Sequence, residues 1–154
     1  MTPEQFRNLI TPFTTHIGKR PLDAALDAEL NATFPANGLI LSGIFNACQD
    51  AIAAGWMCNR EAAGLKFGRV FKPAPDLQGF SVDVVDMQDL KGPHHRHPKG
   101  EIDLIMPLTP DAKFDGRGAG WLVYGPDTAH NPTVSEGRAL VLYLLPEGAI
   151  EFTK

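Results

Sequence analysis

Residues 92–101 read Gly-Pro-His-His-Arg-His-Pro-Lys-Gly-Glu, and the reading of the whole chain turns on this stretch, which holds three of the five histidines. On an extended strand, side chains alternate between faces, so His95 and His97 point one way while His94 and Arg96 point the other. The Pro98-Lys99-Gly100 turn then bends the chain, and Glu101 opens the next strand close to the imidazole pair. Two imidazoles and a carboxylate suit a divalent transition metal such as iron, manganese or zinc better than a hard cation alone. His130, which follows Gly125-Pro126, is the histidine that can close such a site. A short histidine pattern recurs by chance as an incidental polar turn. The added His130, at the mouth of a further strand, tips the reading toward a metal centre.

Outward from this stretch the period of the apolar residues is two. Leu65, Phe67, Arg69 and Phe71 alternate with Lys66, Gly68, Val70 and Lys72, and Phe80, Val82 and Val84 alternate with Ser81, Asp83 and Val85. Further strands are expected over 89–97, 101–108, 120–124, around Thr133, over 139–145 and over 149–152. Prolines and glycines punctuate the junctions: Pro73, Pro75, Pro98, Gly100, Pro107, Pro110, Gly116, Gly118, Gly125, Pro126 and Gly137. Short strands with a turn at each junction indicate an antiparallel barrel or sandwich.

Before Gly55 the period is helical. Phe6, Leu9, Ile10, Phe13 and Ile17 form one stripe, with Thr2 as N-cap, Pro3 at the first helical position, and a kink or break expected near Thr11 because of Pro12. Leu22, Ala25, Leu26 and Leu30 suggest a second helix ending before Pro35. Leu41, Ile44, Phe45, Cys48 and Ile52 mark a third, closed by Gly55. The expectation is one domain over 1–154, with helices in 1–55 packing on a β-barrel in 56–154.

The composition narrows the partner. With 154 residues and a net charge of -4, the chain can bury a core but has no basic block for nucleic acid or an anionic membrane. Cys48 and Cys58 form no CxxC pair, which excludes a thiolate zinc knuckle and a disulfide scaffold. The beginning MTPEQFRNLI has no basic region followed by an apolar run, and a cytoplasmic location is expected. No GxGxxG or P-loop occurs.

His95-x-His97-x-x-x-Glu101, followed by Gly120 and Pro126-x-x-x-His130, resembles the two motifs of the cupin superfamily, whose small barrels hold a metal on three histidines and a glutamate. The resemblance is partial: Asp89 and Leu108 stand where cupins carry glycines, Thr128 replaces another, and the second motif is one residue short. A longer resemblance runs through GWMC (55–58), GFSVDVVDM (79–87), GPHHRHPKGEIDLIMPLTP (92–110), GAGWLVYGPDTAHNPTV (118–134) and GRALVLYLLPEGAIEF (137–152). These stretches are similar to the 4-hydroxylaminobenzoate lyase family of small cupin-like proteins. The resemblance implies a mainly β fold, a cupin-type antiparallel β-barrel (jelly roll) with an N-terminal segment of about three helices. It also implies metal-dependent conversion of 4-hydroxylaminobenzoate to 3,4-dihydroxybenzoate with release of ammonia.

Within that reading His95, His97 and His130 are expected to be neutral imidazole ligands, and Glu101 a fourth ligand or a proton-transferring carboxylate. Asp103 shares the face of Glu101 and is expected to act as a second acid/base or to orient a ligand; a solvated carboxylate is the plain alternative. Tyr124 could hydrogen-bond the substrate, Arg69 its carboxylate, and Trp121, with Trp56, could form an aromatic wall. Other readings are a cupin dioxygenase or isomerase acting on another small compound, or a binding cupin without catalysis. The partner expected is a small aromatic molecule, and the apolar stripes of the helices suggest a homo-oligomer, a dimer.

Overall fold

The computed structural model of the chain describes residues 1–153. Three helices come first: α1 (Pro3–Ile17), α2 (Ala24–Thr33) and α3 (Leu39–Ala53). Thr2 caps α1 in a capping box: its hydroxyl accepts the Gln5 N–H at 3.2 Å, and the Gln5 side chain accepts the Thr2 N–H at 2.8 Å. The break expected near Thr11 does not occur. Phe6 and Ile10 before Pro12, and Phe13 and Ile17 after it, are all buried along one face. Burying each contributes about 1.5–3 kcal/mol, enough together to offset the roughly 3 kcal/mol cost of an interior proline. Gly55, in the left-handed region at φ 87°, turns the chain out of α3.

The strands are β1 (Arg60–Ala62), β2 (Leu65–Phe71), β3 (Phe80–Lys91), β4 (His95–His97), β5 (Glu101–Pro107), β6 (Lys113–Phe114), β7 (Gly120–Tyr124), β8 (Thr128–His130), β9 (Thr133–Pro146) and β10 (Glu151–Phe152). All strand pairings are antiparallel. One sheet runs β1-β2-β3-β9-β5-β7, with β6 also pairing β9, and a small sheet runs β10-β4-β8. The chain is therefore mainly β with three N-terminal helices, as the resemblance implied.

Strands β1, β6 and β8 are not among those expected and β10 is shorter than 149–152, and two further boundaries near the histidines differ as well. The strand expected to start at Asp89 and run to His97 is divided: β3 continues to Lys91, and Gly92-Pro93-His94 separates it from β4. Proline cannot donate to a ladder, and the Gly92 N–H leaves the strand to reach Pro132 O at 2.7 Å. Conversely, Thr133 and Ala139–Leu145 belong to the single strand β9. A bulge accommodates the irregular part between them, where Asp89 lies opposite Ser135–Gly137 and its carboxylate accepts the Gly137 N–H at 3.0 Å.

The large sheet has two buried faces. Val82, Val84, Ile102, Leu104, Leu142 and Leu144 face the helices and pack against Phe6, Ile10, Phe13, Leu30 and Ile44. Val85, Met87, Ile105, Phe114 and Val141 make a second cluster on the opposite, inner face. Helix α2 also protects the edge strand β7. Asn31 accepts the Trp121 N–H at 2.9 Å and donates to Trp121 O at 2.8 Å, and Asp27 accepts the Val123 N–H at 2.9 Å. Among the described residues no helix is long and apolar enough to cross a membrane.

Candidate metal centre

Toward one end of the inner face the apolar cluster gives way to polar side chains. Because directly paired residues project to the same side, the register Arg69–Asp83–Tyr143–Asp103 lays one polar row across β2, β3, β9 and β5. Glu101, two residues before Asp103, is paired with Tyr124 on β7. The small sheet brings its histidines to this end: His95 on β4 is paired with His130 on β8, and His97 lies two residues further along β4.

The four side chains of the sequence motif converge. His130 Nε2 is 2.9 Å from His95 Nε2 and 3.0 Å from His97 Nε2, and Glu101 Oε2 is 3.2 Å from His97 Nε2 and 3.7 Å from His130 Nε2. One donor atom from each of His95, His97, Glu101 and His130 lies within 4.8 Å of the others. Histidine separations near 3 Å are those that two metal–nitrogen bonds of about 2.1 Å make at roughly a right angle. Glu101 Oε2 is buried and accepts no hydrogen bond, a costly arrangement unless a cation satisfies it. The donor set, its burial and this orphaned oxygen fit a divalent transition metal.

The turn before the carboxylate is sterically specified. Gly100 has φ 89°, and a Cβ there would lie 2.6 Å from Tyr124 O, so this position requires glycine for both conformation and space. The close approach sets Glu101 beside β7.

A residue absent from the sequence reading completes the group. Asp115 Oδ2 accepts the His130 Nδ1–H at 2.6 Å and the Tyr124 hydroxyl at 2.5 Å, while its Oδ1 accepts the Thr133 N–H at 2.9 Å. Burial works to raise the Asp115 pKa, but the bonds from His130, Tyr124 and the Thr133 backbone prevail and hold it below the usual carboxylate value. Asp115 and Gly116 are the central pair of a two-residue hairpin turn, with φ 49° and 81° and Phe114 and Arg117 bonded across it. The sequence signal was thus an Asp-Gly turn close before the second motif.

The remaining candidates fall in different places. Asp103 is fully buried with both oxygens unpartnered, and burial together with Glu101 pushes its pKa well above the ordinary value. The Tyr124 hydroxyl, expected to face a substrate, is committed to Asp115, and burial and that carboxylate raise its pKa. Burial and the neighbouring imidazoles of His97 and His130 lower the His95 pKa to about 4, keeping its ring neutral. Arg69 lies on the polar row but its Nε donates to Asp83 at 3.0 Å. Trp121 is not brought to the group. It packs in the helix-facing core, 5.4 Å from the Phe13 ring, and its indole N–H donates to Phe34 O at 3.2 Å. Trp56, likewise, packs against Phe6. The aromatic rings beside the histidines are instead Tyr124, 4.8 Å from His130, and Phe152 of β10, which meets His95 edge-on at 5.6 Å. Arg96, as strand alternation requires, points away and pairs with Asp127 and Glu151.

The family model described as PnbB, 4-hydroxylaminobenzoate lyase, matches residues 8–152. A 4-hydroxylaminobenzoate lyase of Nocardioides sp. (strain LMS-CY) is 28% identical over 160 residues, covering 98% of this chain and 95% of the relative. One from Pseudomonas putida is 25% identical over 166 residues, covering 97% and 94% respectively. Among solved structures, an RmlC-like cupin protein from Ralstonia eutropha JMP134 matches 60% of this chain and 62% of its own, at 12% identity and a TM-score of 0.46.

Proposed function

We propose, for a chain that belongs to the 4-hydroxylaminobenzoate lyase family, that it converts 4-hydroxylaminobenzoate and water to 3,4-dihydroxybenzoate and ammonia at the His95–His97–Glu101–His130 centre. The observation that carries this reading is the convergence of three imidazoles and one orphaned carboxylate oxygen in a member of that family. The reaction is redox-neutral: the nitrogen gains the two electrons that the ring loses. The N–O bond breaks and its oxygen leaves as water, a second water adds to the ring carbon beside the nitrogen-bearing one, and a third hydrolyses the resulting imine before the ring regains aromaticity.

His95, His97, His130 and Glu101 would hold an iron, manganese or zinc ion. When bound, such an ion supplies Lewis acidity toward the hydroxylamine oxygen and an acidified water. The chain's own groups handle the protons. Asp103 sits on the same face of β5 as Glu101, sheltered from bulk water, and with Glu101 serving as a ligand it is the carboxyl group that passes protons to the departing oxygen and from the entering water. Asp115 fixes the His130 tautomer, with Nδ1 as donor and Nε2 free to ligate. Tyr124 acts through Asp115 rather than on the substrate. Phe152, Tyr143 and Phe67 wall an apolar cavity of about 250 Å³ against His95, where an aromatic ring fits. Arg69, on β2 in the same polar row as Asp103, lines the neighbouring cavity with its Nε held by Asp83.

Anaerobic incubation of metal-replete protein with 4-hydroxylaminobenzoate tests this, with ammonia and 3,4-dihydroxybenzoate measured as products. Equal amounts of both are expected without oxygen uptake, and both are lost in His95→Ala and His130→Ala. A strict oxygen requirement overturns the lyase reading in favour of a dioxygenase, and metal binding without turnover favours a binding protein.

A further inference from the structure

The carboxylate of a 4-substituted benzoate lies across the ring from the reacting nitrogen, so a residue that reads it belongs at the opposite end of the cavity from the histidines. Resting on the lyase reading, we infer that Arg60 is that residue, its guanidinium holding the substrate carboxylate. Two cavities meet on the inner face. One, of about 250 Å³, touches His95; the other, of about 440 Å³, touches Arg60 and Arg69. They share Phe67, Tyr143, Ile150 and Phe152 as walls, so an aromatic ring seated between these side chains has His95 at one end and the arginines at the other.

Charge decides the orientation. Among the described residues Arg60 and Arg69 are the only arginine or lysine side chains lining these two cavities, so the benzoate carboxylate finds its counter-charge there while the uncharged hydroxylamine end turns toward His95. The two arginines are not equivalent. Arg69 is held by Asp83 through Nε at 3.0 Å and by Gly148 O at 3.3 Å, so its charge is largely balanced within the chain. Arg60 is exposed, forms no ion pair among the described residues, and lies opposite Phe67 in the β1–β2 register. Paired residues share a side of the sheet, so Arg60 extends over the same cavity wall as Phe67. A free guanidinium on a short edge strand, at the mouth of an apolar cleft, is suited to bidentate capture of a carboxylate arriving from water.

The test compares Arg60→Gln with the metal-replete wild type on 4-hydroxylaminobenzoate and on phenylhydroxylamine, which lacks the carboxylate. The ratio of kcat/KM for the first substrate to that for the second is expected to fall roughly 10- to 100-fold, mainly through KM, as loss of a charge-assisted bidentate contact requires. Arg60→Lys should recover part of the ratio. Calorimetric binding of 4-hydroxybenzoate and of phenol supplies a readout independent of turnover, with the same carboxylate-specific loss in Arg60→Gln. An unchanged ratio and unchanged 4-hydroxybenzoate affinity in Arg60→Gln overturn the inference, as does a carboxylate-specific loss found only in Arg69→Gln. Wild type that binds 4-hydroxybenzoate through Arg60 but turns over no hydroxylaminoarene overturns the lyase reading alone; wild type that binds no 4-hydroxybenzoate overturns the carboxylate site.

Discussion

Asp115 Oδ2 takes the Nδ1–H of His130 at 2.6 Å, and so a residue of a hairpin turn selects which nitrogen of that imidazole faces His95, His97 and Glu101. His95 and His97 have no such support: their Nδ1 atoms are buried without a hydrogen-bond partner. The three imidazoles are therefore unequally held, and His130 is the one whose orientation can be altered without substituting any of the four converging side chains.

Asp115→Asn keeps a side chain that tolerates the left-handed turn conformation but removes the carboxylate that accepts from both His130 and Tyr124. Metal affinity, measured by competition with a chelating dye, is expected to fall 10- to 100-fold with the melting temperature of the metal-free protein little changed. Tyr124→Phe, which removes only one donor to Asp115, should have a smaller effect in the same direction. Equal metal affinity in Asp115→Asn and wild type would refute the orienting role.

Titration of the metal-free protein reports on His95. Its folded pKa is lowered to about 4 by burial and by His97 and His130, whereas an unfolded histidine titrates near 6.5. Between pH 6.5 and pH 4 the unfolded chain takes up a proton that the folded one refuses, so this group's effect is to lower stability as pH falls through that window. The melting temperature of His95→Gln should decline less steeply there than that of wild type.

Trp121→Ala should behave as a core variant. Its ring is 2% exposed and packs on Phe13, and removing it is expected to cost about 3–5 kcal/mol in denaturant unfolding. For the fraction that folds, the preference for 4-hydroxylaminobenzoate over phenylhydroxylamine should equal that of wild type. A change in that preference would place the indole at the substrate after all.

Phe152→Ala should do the reverse. With 68% of its surface exposed, Phe152 contributes little to stability, and about 1 kcal/mol or less is expected to be lost. The KM for aromatic substrates should rise several-fold, because the ring that closes the cavity beside His95 is gone. Unchanged KM would remove the C-terminal strand from the binding site.

What could be read from the sequence depended on whether a side chain had one explanation or two. His95, His97 and Glu101 sit at a strand–turn–strand junction where alternation and a Pro-x-Gly bend leave few arrangements, and the structure brings them together with His130. Asp115 escaped notice because an Asp-Gly pair is fully accounted for as hairpin chemistry, and its second role depends on β8, which is distant in register until the sheets form. Trp121 and Tyr124 stand three residues apart on one strand, so they must face opposite ways, and only one of them can lie on the side of the histidines. Phe152 lies in a two-residue strand with no periodicity to read. The helix through Pro12 shows local propensity overridden by burial on both sides of the proline.

Strand β5 carries Glu101, Asp103 and Ile105 on its inner side and Ile102, Leu104 and Met106 on its helix-facing side. Adjacent positions along this single strand thus answer to different selective demands. Substitutions at the even-numbered positions are judged by whether the helices still dock, and those at 101 and 103 by what the polar end of the inner face can hold. New substrates can be explored at one set while the other keeps the chain folded, so a small scaffold of this kind can diversify its chemistry without first acquiring spare stability.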